Sequence, residues 1–179
     1  MIFFESSSKS HIQNLWKKSI SFHGKPCSGL ALGVRVCDTA LTKLKLKEPE
    51  NDRLVCVSEY DGCCVDAIQI GLHCTAGKKH LLYYKTGMLI FTVYDLLTGN
   101  SVRICTKREI AEKLPTMEPE DVLAMPEAQL FYFEEARPMT RRVEEKVRLA
   151  CNAGGEDVPP RFSGLQDCPD PFRQFDQPK

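Results

Sequence analysis

Apolar and polar positions alternate along this chain with two distinct periods. Between residues 8 and 21, Ile12, Leu15, Trp16 and Ile20 recur at spacings of three and four, which predicts an amphipathic helix ending before His23-Gly24. After Lys25-Pro26 a second stripe, Leu30, Val34, Cys37, Leu41 and Leu44, predicts a helix from Cys27 to about Leu46, closed by the polar run around Pro49. Gly29 and Gly33 lie one turn apart inside it. Their cost in helix propensity points to a place where another backbone or a ligand comes close.

The period then shortens. Arg53 to Glu59 is rich in β-formers and predicts a strand, and Asp61-Gly62 offers a cap for a helix from Cys63 to about Leu72. Leu81 to Tyr84, Met88 to Leu96 and Ser101 to Thr106 predict three strands joined by turns, an antiparallel meander. A short helix over Lys107 to Lys113 and another opening at Pro119 follow, while Gln129 to Glu135 fits a strand or a helix. Arg141 to Cys151 reads as a charged helix with a sparse apolar side, suited to packing on another domain or protomer. From Asn152 onward the chain is rich in proline and glycine and reads as an irregular tail. This order describes an α+β fold, an antiparallel or mixed sheet packed with helices, because the central strands join by short turns.

Composition narrows the classes. Lys plus Arg and Asp plus Glu both count 24 in 179 residues, so no global field favours nucleic acid or an anionic membrane, and the expectation is neither partner. The longest apolar stretch, Met88 to Leu97, is short of a membrane span and is interrupted by Thr92 and Asp95. The N-terminus lacks the layout of a secretory signal, so the expected location is cytoplasmic. Phosphate loops, dinucleotide fingerprints and G-x-S-x-G elbows are absent from the sequence. Nine cysteines, an odd number unevenly placed, point in a reducing compartment to metal ligation, thiol chemistry or burial.

Two segments put thiols at helix N-termini. In Phe22-His23-Gly24-Lys25-Pro26-Cys27-Ser28-Gly29 an imidazole and a thiol are four residues apart across a Gly/Pro turn. A helix N-terminus favours thiolate, the form that binds metal or attacks. Taken alone, the pair reads as readily as a surface histidine and a core cysteine. In Glu59-Tyr60-Asp61-Gly62-Cys63-Cys64-Val65-Asp66 the adjacent cysteines point about 100° apart, so one serves as ligand and the other as core. Cys74 joins such a site only if the helix breaks, which Gly71 allows. Cys37, Cys56 and Cys105 lie on apolar positions and read as core, and Gly77-Lys78-Lys79-His80 as a basic turn.

These segments resemble the FmdE family, named for the E subunit of formylmethanofuran dehydrogenase. The likeness rests on Phe22-His23-Gly24, Cys27, Gly29, Glu59, Cys63, Asp66-Ala67-Ile68-Gln69, Cys74-Thr75, and Gly77-Lys78, and continues loosely to about residue 150. It implies an FmdE-like metal-binding core over residues 1–150, one transition-metal ion per protomer, zinc foremost, and a homodimer that uses the C-terminal helix in its packing. Carried over by position, His23, Cys27 and Cys63 are the implied metal ligands; one imidazole and two thiolates suit zinc and leave a fourth position open. Asp66 is then a cap or a support for a ligand, and Glu59 a residue able to orient the histidine. Lys25 stands where the family usually has a second histidine and Ser28 where it usually has proline, leaving a hydroxyl available as a helix cap or as a support for a ligand. Cys151 and Cys168 sit where many members have the C-x-x-C pairs of a zinc ribbon; each pair has lost a cysteine, so residues 151–179 are expected to be a degenerate ribbon without zinc.

The implied function is metal binding accessory to a redox metalloenzyme or its cofactor. The alternative is a metal- or thiol-dependent enzyme, hydrolytic or sulfur-transferring, using the open position with Glu59 or Asp66 as base. A third reading makes the metal structural and the protein an assembly partner.

Overall fold

The structure is a computed structural model that describes residues 4–50 and 52–134. In chain order it comprises α1 (Phe4–His23), α2 (Ser28–Lys43), β1 (Leu54–Ser58), α3 (Cys64–Gly71), β2 (Leu81–Tyr83), β3 (Ile90–Asp95), β4 (Ser101–Thr106), α4 (Arg108–Lys113), a 3-10 turn over Leu114–Thr116, α5 (Pro119–Ala124), α6 (Glu127–Leu130) and β5 (Phe131–Glu134). The fold is α+β, with a five-stranded mixed sheet. The expected helix Arg141 to Cys151 and the tail from residue 151 lie outside the described residues.

The sheet order β2-β1-β3-β4-β5 corrects the expected meander. The third strand turns back on the fourth as a hairpin, with Thr92 opposite Arg103, but β2 pairs with β1, parallel, with Val57 opposite Leu82. The reason is α3. The chain leaves β1, runs through that helix and returns beside the same strand, so β2 lands on the far edge of β1 while β3 takes the inner one. Local turn signals predict that strands follow one another, and they are silent on which neighbour each strand finds. Residues 129–135 fit a helix or a strand by sequence, and the structure uses both: α6 ends at Leu130 and β5 begins at Phe131, antiparallel to β4.

Helix α2 is the axle of the structure. Its sequence predicts an amphipathic stripe, yet almost every residue from Leu30 to Leu41 is buried, because α1, α3, α5 and β4 surround it. Leu32, Val34, Val36 and Cys37 join Leu54, Cys56, Phe91, Val93 and Ile104 of the sheet in one core. Helix α3 comes near because α2 carries glycine where the two cross. A Cβ on Gly33 would stand 2.3 Å from the carbonyl oxygen of Cys64 and 2.9 Å from the Ala67 Cβ, so α3 lies on bare backbone. Gly71 receives the Cys37 side chain in the same manner from the other direction.

Burial of α2 encloses one cation. The Arg35 guanidinium donates from Nη1 to the carbonyl oxygens of Val122 (3.5 Å) and Leu123 (2.8 Å), and also to that of Met125. These carbonyls lie at the C-terminal end of α5, where the helix itself supplies no further N–H donors, so one arginine both satisfies the helix end and fixes α5 against α2. A second charged lock sits at the base of the sheet. Arg53 donates from Nε and Nη2 to the two carboxylate oxygens of Asp95, each at 2.9 Å, and the Thr98 hydroxyl and the Leu97 N–H also donate to that carboxylate. The guanidinium first, with these donors, holds the Asp95 carboxyl at about 2.

Two outcomes follow from this packing. Gly33→Ala drives a methyl into the Cys64 backbone and is expected to cost about 3 kcal/mol or more in denaturant unfolding, well beyond an ordinary surface Gly→Ala change. The Asp95 carboxyl is depressed in the folded state, so its contribution is fully present above about pH 4 and is lost as pH falls toward about 2. Asp95→Asn should lower stability at pH 7 by about 2 kcal/mol and flatten the acid limb of a stability-against-pH curve followed by circular dichroism.

Candidate metal centre

The first helix ends at His23, Gly24 takes the left-handed region at φ +93° to turn the chain, and Lys25-Pro26 leads to Cys27. Cys27 is the residue that caps α2: its backbone is extended and its sulfur accepts the Leu30 N–H at 3.3 Å. The Ser28 hydroxyl, expected to be available for that role, is not the cap, because Ser28 is already the first helical residue. On the other side, β1 delivers the chain through Tyr60 and Gly62 to Cys63, which begins α3. The expected Asp61-Gly62 cap does not form either; Asp61 pairs instead with Lys85 at 2.6 Å, and that ammonium holds its carboxyl below the usual range. The Tyr60 ring covers the Cα of Gly62, where a Cβ would stand 2.2 Å from the ring.

The two helix starts converge. His23, Cys27 and Cys63, all half-buried, place one ligand atom each within 4.8 Å of the others, a group able to hold a metal ion. Cys27 Sγ lies 3.7 Å from His23 Nε2. Gly29 makes the approach of Cys63 possible, since a Cβ there would stand 3.3 Å from the Cys63 Cβ. The Cys63 thiol is raised above its ordinary value by burial first and then by the neighbouring Cys27 thiol. Two thiols that crowd each other in this way ionise together when a cation lies between them, which is the chemistry of a divalent metal site.

The histidine is oriented by Asp66. Its Oδ2 lies 2.7 Å from His23 Nδ1, a pairing that favours a proton on Nδ1 and leaves Nε2 facing the Cys27 sulfur. Cys63 and Asp66 are three residues apart at the start of α3, both half-buried, and therefore share a face, so one helix supplies both a candidate ligand and the partner of another. That spacing is the signal from which the role of Asp66 is readable. Glu59, the other expected partner for the histidine, is corrected by the structure. It is 4% exposed, bound by Arg103 Nη1 at 2.5 Å and by the Thr86 hydroxyl at 3.0 Å, and it ties β1 to β4. No sequence feature marks Arg103 as its partner, since the contact arises from strand order.

The remaining cysteines sort by depth. Cys37, Cys56, Cys64, Cys74 and Cys105 are buried, and burial first raises the thiol of each, in Cys74 up to about 12. Cys64 faces α2 as the core member of the adjacent pair. Cys74 does follow a helix that stops at Gly71, yet it turns inward and donates to the Leu54 carbonyl at 3.3 Å, apart from the metal group. Lys25 is exposed beside the site, and in the basic turn Lys78 pairs with Asp52 at 3.2 Å while His80 is buried.

Helices around a small mixed sheet, with an imidazole and two thiols gathered at helix termini, define an α+β protein with a candidate transition-metal site. Residues 22–150 match the family described as "FmdE, Molybdenum formylmethanofuran dehydrogenase operon", and the chain belongs to that family. It is similar to a "tungsten formylmethanofuran dehydrogenase subunit e (fmde)-like protein" from Syntrophus aciditrophicus, at 22% identity and a TM-score of 0.59, with 75% of this chain and 76% of that one covered; this likeness concerns the fold. It is also 28% identical over 115 residues to a "Probable S-adenosyl-L-methionine-binding protein" from Archaeoglobus fulgidus. That match takes in 62% of this chain and 31% of the relative, so the chain spans under a third of that protein's length.

Replacing Asp66 by Asn keeps the shape but removes the charge that favours a proton on Nδ1. The expected result is a loss of about 10- to 100-fold in zinc affinity with an unchanged unfolding midpoint in the metal-free protein, read by competition with a chromogenic chelator.

Proposed function

We propose that this chain is a metal-binding protein that holds one zinc-like ion through His23 Nε2, Cys27 Sγ and Cys63 Sγ, with a fourth position open to solvent or to a donor from a partner. The convergence of the three ligand atoms within 4.8 Å, with Asp66 fixing the imidazole, is the observation that carries this reading. Mixed imidazole and thiolate donors suit zinc, and three protein ligands are the number that leaves an ion open rather than closed. When bound, such an ion supplies a Lewis acid at the mouth of the α2 and α3 helix starts.

The physiological role we propose is accessory to a redox metalloenzyme or its cofactor, in a cytoplasmic homodimer. Family membership and the operon named in the family's description support the association. No helix among the described residues is long and apolar enough to cross a membrane. Catalysis at the open position is a second reading, and the geometry narrows it. Glu59 is occupied by Arg103 and Thr86, and Asp66 by His23, so neither carboxylate is free to act as a base on a metal-bound ligand. The S-adenosyl-L-methionine of the relative's name is not carried over, because this chain matches less than a third of that protein.

The test is element-resolved metal content of the purified full chain. About one zinc per chain is expected in the wild type, and little in Cys27→Ser, Cys63→Ser or His23→Ala, while Cys151→Ser and Cys168→Ser keep it. Metal-free wild type after growth in zinc-replete medium, or metal retained in all three site variants, overturns the proposal.

A further inference from the structure

The metal group is also the one place among the described residues where thiols are both accessible and paired. Of the seven described cysteines, five are buried, with thiols raised above their ordinary value, and only Cys27 and Cys63 are half-exposed. Those two sulfurs lie within 4.8 Å of each other, each at the start of a helix that the rest of the core holds in place. In a tetrahedral zinc site two thiolates stand about 3.8 Å apart, set by metal–sulfur distances of about 2.3 Å. Gly29 presents no side chain to Cys63, and the Cys27 and Cys63 thiols are in direct side-chain contact.

We infer that Cys27 and Cys63 form a reversible disulfide, with a hydroperoxide as oxidant, and that zinc occupancy and this disulfide exclude each other. The inference rests on the metal-site reading and adds its regulation. One sulfur attacks the terminal peroxide oxygen, the O–O bond breaks, an alcohol or water leaves, and the sulfur becomes a sulfenic acid. The second sulfur attacks it, the S–O bond breaks, water leaves, and the S–S bond forms. The pair is oxidised by two electrons, the peroxide is reduced by two, and both thiol protons leave on oxygen. A bound ion engages the sulfur electron pairs that this chemistry needs, so zinc slows the first step. Once the disulfide forms, only His23 remains of the ligand set and the ion is released.

The Glu59–Arg103 pair is not part of this device, since it ties β1 to β4, and Cys64 is set apart from Cys63 by its full burial, its thiol donating to the Gly62 carbonyl at 3.9 Å. The disulfide would tie the start of α2 to the start of α3, where their backbones are already in contact through Gly33. Closing it therefore moves side chains and leaves the helices in place.

The experiment uses the full chain. Zinc content of the fully reduced protein is measured first, and then metal-free and zinc-loaded samples are treated with hydrogen peroxide. Peptide mapping and thiol titration follow. The expected result in the metal-free protein is a linked Cys27–Cys63 peptide about 2 Da lighter than its parts, a fall of two thiols per chain, and loss of zinc binding that dithiothreitol restores. Zinc-loaded protein should oxidise more slowly and release one zinc per disulfide. His23→Ala, which keeps both thiols, should form the same disulfide with no protection by zinc. A disulfide elsewhere, sulfinic acid at either cysteine with no linked peptide, or nine intact thiols in the metal-free protein overturns the inference. Zinc bound by the reduced protein without the disulfide refutes this inference alone. A disulfide in a protein whose reduced form binds no zinc upholds the thiol pairing, overturns the exclusion, and refutes the metal-site proposal.

Discussion

The contact of α2 with α3 at Gly33 is the constraint on which the rest depends. Two helices ordinarily pack at 8 to 10 Å between axes, a separation set by side chains, and a glycine at the crossing removes that spacer. Here the Cys64 carbonyl and the Ala67 methyl occupy the space a side chain at residue 33 would take. One turn earlier Gly29 does the same for Cys63. The helix starts are thereby brought together, and Cys27 and Cys63, which are 36 positions apart in sequence, become neighbours in a site. The propensity lost by two glycines in α2, roughly 1 kcal/mol each, is offset by burial along the whole crossing.

A helix buried on every side needs its neighbours anchored, and the anchors are electrostatic where the packing is thin. Short α5 contributes one buried side chain, Val122, and its C-terminal carbonyls are held by Arg35 from α2. The short strand β5 is reached by Lys43, which pairs with Glu127 and lies 4.3 Å above the Phe133 ring. Glu59 and Arg103 couple the end of β1 to β4, and Glu134 extends that pairing to β5. The metal group stays clear of this web, and its own carboxylate, Asp66, is left to a single task.

Much of this is legible in the sequence because local chemistry and global packing agree. The 3.6-residue stripes place α1 and α2, and the β-rich runs place the strands, since each element buries one recurrent face. The family motifs point, without any geometry, to the three residues that the fold brings within 4.8 Å of one another. What is not legible is what depends on partners far apart in sequence. Strand order turns the expected meander into β2-β1-β3-β4-β5, because nothing in residues 81–84 encodes a parallel partner in β1. Glu59 misleads for the same reason: its motif position beside the site says nothing of Arg103 arriving from β4. The sequence offers a hydroxyl to cap α2 although a thiol fills the place, as the preference for Ser, Thr, Asp and Asn predicts a chemistry that a ligand cysteine replaces.

That replacement bears on how the site is built. A cysteine sulfur that accepts the Leu30 N–H completes the first turn of α2 and is at the same time aimed at the His23 ring. Cys63 starts α3 without a side-chain cap, so its sulfur remains directed into the group. The first helix contributes a histidine from its last turn, where the chain reverses at Gly24. Every candidate ligand thus comes from a helix terminus, and each terminus is positioned by the packing of its own helix rather than by the loop between. A metal ion at such a place would be a consequence of the fold more than its cause, because the helices meet through glycine and apolar side chains that owe nothing to the ligands. Lys25 fits the same logic: it lies exposed in the turn, outside the helices, where the identity of the residue does not disturb what brings His23, Cys27 and Cys63 together.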